Sequence, residues 1–306
     1  MLIIRPLKVF LKGASALVTW TLSNAAARSL LCLCLLIIVG TAIASYLTQP
    51  FNRVFLGLTF VCGVVVPLCL VVLSRGGRAF PKDLDQAPLQ LRRIAAYFMP
   101  LLAANLAIAI PYISDALSER VYYVVSEAIY LLTFAAVPAL LLASRWWLWP
   151  KVGPAGGRRG VIVVAVLGLA FALFLTWGNP DRKVVDVGVA RIGLATGLAL
   201  IGSTSEELIF RVMLLSYLAT ALRSSFSALV VSSFVFGVIH IPFELDWSNL
   251  PPMWDPTLTV RPLFRTAIGV FLGVIWIRTR SLLISGGVHT AINLTPVLAK
   301  YSTVWV

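Results

Sequence analysis

Charged residues are scarce in this chain. Only 12% of its 306 residues are Asp, Glu, Lys or Arg, whereas 59% are hydrophobic, and the mean hydropathy is +0.94. A soluble globular domain carries about 25% charged residues. The composition therefore excludes an ordinary soluble domain and indicates a protein that lies largely in a lipid bilayer.

Several long apolar runs occur along the chain. An apolar run of about 18 residues or more can cross the hydrocarbon core as an α-helix. Residues Val187–Leu222 are too long for one span and carry charges, so we expect an interfacial piece followed by a span. The fold predicted is an all-α, polytopic bundle of about eight or nine transmembrane helices. The other predicted spans are Leu30–Leu47, Val54–Leu73, Arg93–Ile113, Val121–Ala143, Gly160–Trp177, Phe226–Phe243, Pro262–Ile277 and Leu282–Ala299.

Acidic residues are fewer still, with 12 Asp and Glu against 25 Lys and Arg. In a soluble protein this excess would suggest nucleic acid, but in a membrane protein it indicates loops kept on the cytoplasmic side. With the N-terminus inside and nine spans, the inner segments hold sixteen cations and the outer ones six. We therefore expect a multi-pass protein of a prokaryotic plasma membrane, with the lipid bilayer as a partner and no nucleic acid.

Cysteine is also rare. The four cysteines lie in the first two predicted spans, where thiols behave as small apolar residues, and they form no metal-site pattern. They are Cys32, Cys34, Cys62 and Cys69. The first 25 or so residues mix basic and apolar side chains, which favours an amphipathic helix at the membrane surface over a cleaved signal peptide.

Polar residues within the apolar runs are concentrated in the C-terminal third. Ionisable groups inside a membrane are costly and are usually functional. The chain has two histidines, His240 and His289, and both lie in apolar segments together with the acid pair Glu206 and Glu207. A further acid, Glu127, lies near the start of its predicted span, where pairing or contact with the interface explains it without catalysis.

The spacing of these residues has a meaning on a helix, because residues four apart share a face. Glu207 can pair with Arg211, and His289 shares its face with Asn293, while Glu206 is free to face another neighbour. A carboxylate and an imidazole can deprotonate a water, and an imidazole with a carboxamide can stabilise an oxyanion. Glu206 with His240 fits the first role, and His289 with Asn293 fits the second.

Each feature also has a structural interpretation. Glu207 and Arg211 can be a structural ion pair, a histidine can simply link two helices by a hydrogen bond, and Asn293 can be a packing contact. Phe236 is better explained as core than as catalytic. The conjunction favours a site, since the only two histidines and the only paired acids of the apolar runs fall in one stretch of the chain.

These residues together resemble the three motifs of the CAAX protease and bacteriocin-processing family, often called the Abi family, to which the Ras-converting CAAX endopeptidase belongs. The matching motifs are Glu206-Glu207-x-x-x-Arg211, Phe236-x-x-x-His240 and His289-x-x-x-Asn293. The resemblance implies an intramembrane glutamate protease with no cofactor. It implies that Glu206 and His240 activate water, that His289 and Asn293 form the oxyanion hole, and that Glu207 and Arg211 are structural.

The resemblance divides the chain into residues 1–185, which hold accessory helices, and residues 186–306, the catalytic core. The partner expected is a peptide or protein substrate at the membrane. The alternatives are a non-catalytic scaffold or bacteriocin-immunity protein with the same fold, and a proton-relaying transporter. Zinc bound by Glu206, His240 and His289 is a further alternative, which we disfavour because no acid lies within a turn of either histidine and no His-Glu-x-x-His motif occurs.

Overall fold

Helices account for nearly all of the chain that the structure describes. The structure is a computed structural model that describes residues 38–40, 42–43, 51–73, 84, 86–113, 118–153, 157–177, 189–241 and 256–304. Within these ranges no residue lies in a β-strand. The predicted amphipathic N-terminal segment, most of the first span, Cys32 and Cys34 lie outside the described residues, whereas Cys62 and Cys69 have free thiols.

Eight helices, labelled α1 to α8, run through residues 51–304. Residues 38–40 and 42–43 are helical too, so the described residues contain nine helical segments and confirm the predicted number. Three of the eight contain a π-helical stretch, at Val61–Val65 in α1, Leu132–Ala136 in α3 and Leu208–Leu215 in α5. The bounds are 51–73 for α1, Ala87–Ile113 for α2, 119–143 for α3, Arg158–Trp177 for α4, 189–221 for α5, Ser225–Ile239 for α6, Pro256–Thr279 for α7 and Leu282–Val304 for α8.

The prediction for Val187–Leu222 is wrong. The structure has one unbroken helix, α5, in place of an interfacial piece and a separate span, and the backbone stays helical through both ends of its π-helical stretch. The charges that suggested an interfacial segment are buried inside the bundle, since Glu207 and Arg211 have no exposed surface. Helix α5 is 33 residues long and therefore spans about 50 Å.

Three helices are long and apolar enough to cross a membrane, within the ranges described. They contain Val124–Ala143 in α3, Arg158–Leu175 in α4 and Arg261–Thr279 in α7. Many large apolar side chains of α3 and α4 remain exposed, among them Leu140 and Phe174. Exposed apolar surface on helices of this length is suited to contact with lipid, so this is an integral membrane protein.

Small residues allow the helices of the C-terminal half to approach closely. A Cβ atom on Gly286 of α8 would lie 2.8 Å from the Thr204 hydroxyl of α5, and one on Gly237 of α6 would lie 2.7 Å from the Pro262 carbonyl oxygen of α7. Close backbone approach is the usual way in which membrane helices gain packing energy. These contacts bring α5, α6, α7 and α8 into one core.

Hydrogen bonds gather several helix ends at one end of the bundle. The Tyr217 hydroxyl of α5 donates to the Leu148 carbonyl after α3 at 2.7 Å, and the Leu148 N–H donates to Gln90 of α2 at 3.1 Å. The indole N–H of Trp276 in α7 donates to Ser216 at 3.1 Å, and Arg278 donates to the Val71 carbonyl of α1 at 3.3 Å. We call this the arginine-rich end, because Arg93, Arg145, Arg158, Arg223 and Arg278 lie there.

Helix α8 follows α7 after only two residues, and its first turns lie deeper in the bundle than the last turn of α7. Ser216 of α5 lies beside Trp276, shortly before the end of α7, whereas Gly286 near the start of α8 lies beside Thr204. Ser216 and Thr204 are twelve residues apart, so Gly286 meets α5 about 18 Å further along than Trp276 does. This stagger brings His289 to the depth of Glu206.

Candidate active site

Glu206 lies on α5 just before the π-helical stretch and occupies the centre of the predicted site. Its side chain is almost completely buried. The Oε1 atom accepts a hydrogen bond from the Tyr130 hydroxyl of α3 at 2.6 Å. The Oε2 atom accepts no hydrogen bond from the described residues. One oxygen is therefore held in place, and the other remains available for chemistry.

His240 follows the last turn of α6 and faces that second oxygen. Its Nδ1 atom is 2.6 Å from the Phe236 carbonyl oxygen, and a carbonyl only accepts, so Nδ1 carries the proton. In the neutral ring Nε2 then holds a lone pair, and it lies 3.9 Å from Glu206 Oε2. The sequence prediction that the Glu206 carboxylate and the His240 imidazole lie close together is confirmed.

His289 projects from α8 into the space between the two glutamates. Its Nε2 atom lies 3.7 Å from Glu206 Oε2, and its Nδ1 atom lies 3.1 Å from Glu207 Oε1, within hydrogen-bond distance. The ring is 1% exposed, which leaves no room for water to hydrate it from outside. A carboxylate accepts only, so Nδ1–H of His289 donates to Glu207 when that acid is ionised.

Glu207 and Arg211 form the ion pair that their spacing predicts. Arg211 Nε lies 3.5 Å from Glu207 Oε2, and neither side chain is exposed. The guanidinium carbon lies 4.6 Å from the centre of the Phe236 ring and 5.9 Å from that of Phe210, which are cation–π distances. Glu207 thus contacts both Arg211 and His289, and the second contact is one that spacing along the helix does not reveal.

Phe236 is the apolar side of the site. Its buried ring packs against His240 at a centroid distance of 4.6 Å and against His289 at 5.9 Å. Arg211 covers the same ring. Phe236 thus touches both histidines and the cation, as a residue that shapes the site from the core.

Asn293 lies one turn beyond His289 on α8 and is partly buried. Its Nδ2 atom donates to the Ser203 hydroxyl of α5 at 3.2 Å. Ser203 lies about one turn before Glu206 and Glu207, so the bond holds the carboxamide at the same interface between α5 and α8 as His289. A second N–H of the amide remains for another acceptor.

Tyr130 is a site residue that the sequence did not reveal. It lies on α3, outside the C-terminal part that carries the motifs, and it is the donor to Glu206 Oε1. Gly202 makes room for it, because a Cβ atom there would lie 2.8 Å from the Tyr130 ring and 2.9 Å from its hydroxyl. A glycine one turn before Glu206 is the one local signal that a bulky neighbour approaches α5 at this point.

One reason given against a metal is wrong. Both histidines donate from Nδ1 to an oxygen, His289 to Glu207 and His240 to the Phe236 carbonyl, as metal-binding histidines usually do. The distances differ from those of zinc, since ligands of a tetrahedral zinc lie about 3.3 Å apart, whereas the two Nε2 atoms lie 3.7 and 3.9 Å from Glu206 Oε2. Within the described residues no group of three His, Cys, Asp or Glu side chains has the arrangement of a metal site.

The arrangement has the components of a hydrolytic site. A carboxylate oxygen and two imidazole nitrogens converge in a nearly dry environment, with each side chain oriented by a second contact.

Comparison with known families agrees: residues 187–295 match the family model described as type II CAAX prenyl endopeptidase, Rce1-like. No curated protein and no solved structure shows significant similarity to the chain. Residues 187–295 are therefore similar to a family of CAAX-processing peptidases, which is consistent with a member of that family.

Proposed function

We propose that the protein is an intramembrane endopeptidase that hydrolyses membrane-associated peptides or the C-terminal tails of proteins. The observation that carries this proposal is the convergence of His240 Nε2 and His289 Nε2 on Glu206 Oε2, at 3.9 and 3.7 Å. The expected location is the plasma membrane of a prokaryotic cell, in keeping with the bacteriocin-processing relatives that the motifs resemble.

Glu206 and His240 activate the attacking water. A water at hydrogen-bond distance from both Glu206 Oε2 and His240 Nε2 has two acceptors for its protons, and loss of one proton makes it nucleophilic. The hydroxide adds to the scissile carbonyl carbon, and the abstracted proton then passes to the leaving amine as the C–N bond breaks. Tyr130 holds the other carboxylate oxygen, so Glu206 presents one fixed oxygen to the water.

His289 and Asn293 stabilise the oxyanion. His289 can donate from Nε2 while Glu207 accepts from Nδ1 only if the ring carries both protons. Glu207 is on this account a positioning residue for His289 as well as the partner of Arg211.

A zinc-dependent hydrolase using the same three side chains is the second candidate. The Nδ1 hydrogen bonds of both histidines favour it, and the long separations between Nε2 and the carboxylate oppose it. A non-catalytic scaffold is the third, and it has no need for three side chains that converge on one buried carboxylate.

The test is cleavage of peptides by the purified, detergent-solubilised protein. A panel of peptides with and without a lipid near the C-terminus would be incubated with wild type and with Glu206→Gln, and the products identified by mass spectrometry. We expect cleavage by wild type that survives exhaustive chelation and no cleavage by the variant. Zinc at one equivalent per chain, with activity lost on its removal and restored by zinc alone, would establish the metal mechanism instead. Equal product formation by both proteins would refute the role of Glu206.

A further inference from the structure

We propose that the arginine-rich end contains a binding site for an anionic phospholipid, formed by Gln90, Arg93 and Trp147. The phosphate of the headgroup binds to the nitrogen donors of these three side chains, and exposed tryptophans beside them lie at the level of the headgroups. The site is separate from the candidate active site, and the inference does not depend on the proposed hydrolysis.

Two nitrogen donors are buried at this end of the bundle without an acceptor. The side chains of Gln90 and Trp147 belong to residues that are at most 1% exposed. The Oε1 atom of Gln90 accepts from the Leu148 N–H at 3.1 Å, but its Nε2 atom has no hydrogen-bond partner among the described residues, and neither has the Nε1 atom of Trp147. Amide and indole nitrogens only donate, and a buried donor without an acceptor is costly. Both side chains therefore favour a ligand that accepts hydrogen bonds.

Arg93 adds a positive charge to these donors. It lies three residues after Gln90 on α2, which places it about one turn further along the same face. Its Nη1 atom donates to the Trp146 carbonyl, and its guanidinium carbon lies 5.4 Å from the centre of the Trp146 ring. Both contacts are to neutral groups and leave the charge uncompensated. A guanidinium binds the oxygens of a phosphate with two parallel N–H donors, so the ligand expected is a phosphate group.

The donors are held in place by contacts between three parts of the chain. The Trp147 ring packs edge-on against Tyr97 of α2, with 5.0 Å between the ring centroids. The next residue, Leu148, accepts through its carbonyl from the Tyr217 hydroxyl of α5 at 2.7 Å. The segment after α3 is thereby fixed against α2 and α5. A ligand that binds here contacts groups from separate helices, so it should stabilise the folded protein.

The tryptophans indicate that the phosphate belongs to a lipid. Trp146 and Trp149 are 36% and 51% exposed, although Trp147 between them is buried. Tryptophan is enriched at the level of lipid headgroups, and a free anion would make no use of exposed apolar rings. Only 11% of the apolar stretch Val124–Ala143 of α3, which ends just before these rings, is buried.

Exposed cations around the site favour an anionic headgroup over a zwitterionic one. Basic pockets between membrane helices bind anionic headgroups. Six cations at the arginine-rich end are exposed, and they are Arg92, Arg145, Lys151, Arg158, Arg159 and Arg223. A phospholipid with a net negative charge therefore fits this surface better than one whose headgroup is neutral overall.

Lipid binding by the purified full-length protein tests the site. Phosphatidylglycerol or phosphatidylcholine with the same acyl chains would be added in detergent, and bound lipid would be counted by native mass spectrometry. We expect phosphatidylglycerol to bind about tenfold more tightly or better, which is the effect of one hydrogen bond to a charged group. Phosphatidylglycerol should also raise the temperature of thermal unfolding, whereas phosphatidylcholine should not.

A matched pair of variants separates the site from the overall charge. Arg93→Gln removes the cation that lies beside the buried donors and should weaken binding of phosphatidylglycerol about tenfold. Arg158→Gln removes an exposed cation at the start of α4 and should leave that binding unchanged. Thermal unfolding without lipid confirms that each variant is folded.

Two further variants test the buried donors. Gln90→Glu has the same shape and keeps an acceptor for the Leu148 N–H, but it replaces the second donor with a negative charge. It should abolish the preference for phosphatidylglycerol. Trp147→Phe keeps an aromatic ring against Tyr97 and removes only the N–H, so it should weaken binding with little effect on folding. Unchanged binding in both variants would show that the donors are not part of a lipid site.

Other results would also overturn the inference. Equal binding of the two lipids by wild type, or an equal loss in Arg93→Gln and Arg158→Gln, would show that no specific site exists. Inorganic phosphate that stabilises the protein as much as phosphatidylglycerol does would identify a free anion as the ligand. Displacement of phosphatidylglycerol by hexaglutamate would instead indicate a surface for an acidic protein. None of these measurements needs turnover, so a Glu206→Gln background should give the same lipid binding even if the proposed hydrolysis is wrong.

Discussion

The helices of the first half and the second half differ in what surrounds them. In the apolar stretches Val124–Ala143 of α3 and Arg158–Leu175 of α4, only 11% and 17% of the residues are buried. In the apolar stretch Arg261–Thr279 of α7, 67% are buried. The first half therefore presents most of its surface to lipid, and the second half forms a closely packed core around buried charge. The boundary between a lipid-facing shell and a polar core coincides roughly with the start of the segment that matches the family.

Among the contacts that cross this boundary, one reaches the candidate site itself. Tyr130 comes from the lipid-facing shell, yet it donates to the carboxylate at the centre of the core. The shell is thus part of the site, and four sets of variants test how far the separation of shell and core holds.

Loss of the proposed base, Glu206, should have the largest effect. In Glu206→Gln the amide has nearly the same shape but cannot accept the proton, so we expect turnover to fall by about 10²- to 10⁴-fold. The melting temperature should hardly change, because no cavity forms. Measurement of kcat and thermal unfolding in the same detergent checks both. Inactivation by Glu207→Gln with an active Glu206→Gln would reverse the two assignments.

Glu207→Gln should mainly reduce stability. It leaves the fully buried Arg211 charge without its counter-ion, and breaking a buried pair costs about 3–5 kcal/mol. The matched control is the double variant Glu207→Gln with Arg211→Met, which removes both charges and should recover most of the free energy of unfolding. Thermal unfolding of the three proteins decides the matter. A single variant as stable as wild type would show that the pair is not buried as described.

Tyr130→Phe should reduce activity but not stability. A hydrogen bond to a charged group contributes about 1.5–3 kcal/mol, which corresponds to roughly a 10- to 100-fold fall in kcat with KM little changed. The control is Tyr217→Phe, which removes a similar bond, to the Leu148 carbonyl, at the arginine-rich end. That variant should unfold slightly more easily and keep its activity. Similar kinetics for both variants would show that Tyr130 has only a structural role.

Gly202→Ala should have the smallest measurable effect. Its Cβ would lie 2.8 Å from the Tyr130 ring, so the ring must shift and its bond to Glu206 weakens. We expect a fall in kcat no larger than that of Tyr130→Phe. Gly197→Ala on the same helix is the control, because no atom lies within 4 Å of its Cβ position. It should be neutral or slightly stabilising, since alanine favours a helix by about 0.5–1 kcal/mol over glycine.

Local features of the sequence account for what could be predicted. The lengths of the apolar runs predicted helices that end within a few residues of the observed ones, such as Val121–Ala143 for helix 119–143. Glu206, His240 and His289 could be found because ionisable residues are conspicuous inside apolar runs. The pairing of Glu207 with Arg211 depends only on one helical turn, so it too could be predicted.

The contacts between distant parts of the chain could not be predicted. Glu207 and His289 are 82 residues apart, and Tyr130 and Glu206 are 76 residues apart. Nothing in the local pattern sets the depth at which α8 begins, and helices assumed to start level put His289 and His240 at different depths. The pattern also did not indicate that α5 continues through a π-helical stretch where the charges suggested a break.

The buried charges of α5 also determine how the protein can be made. A charged residue at the centre of a membrane helix costs about 2.5–3.5 kcal/mol on insertion, and α5 carries three of them within six residues. Glu207 has its partner Arg211 on the same helix. The neighbours of Glu206, His240 and His289, are synthesised later. Only three residues, Leu222 to Ser224, separate α5 from the apolar α6. This short connection favours entry of α5 into the bilayer as a hairpin with α6, so Glu206 and His240 come together before the last two helices are translated.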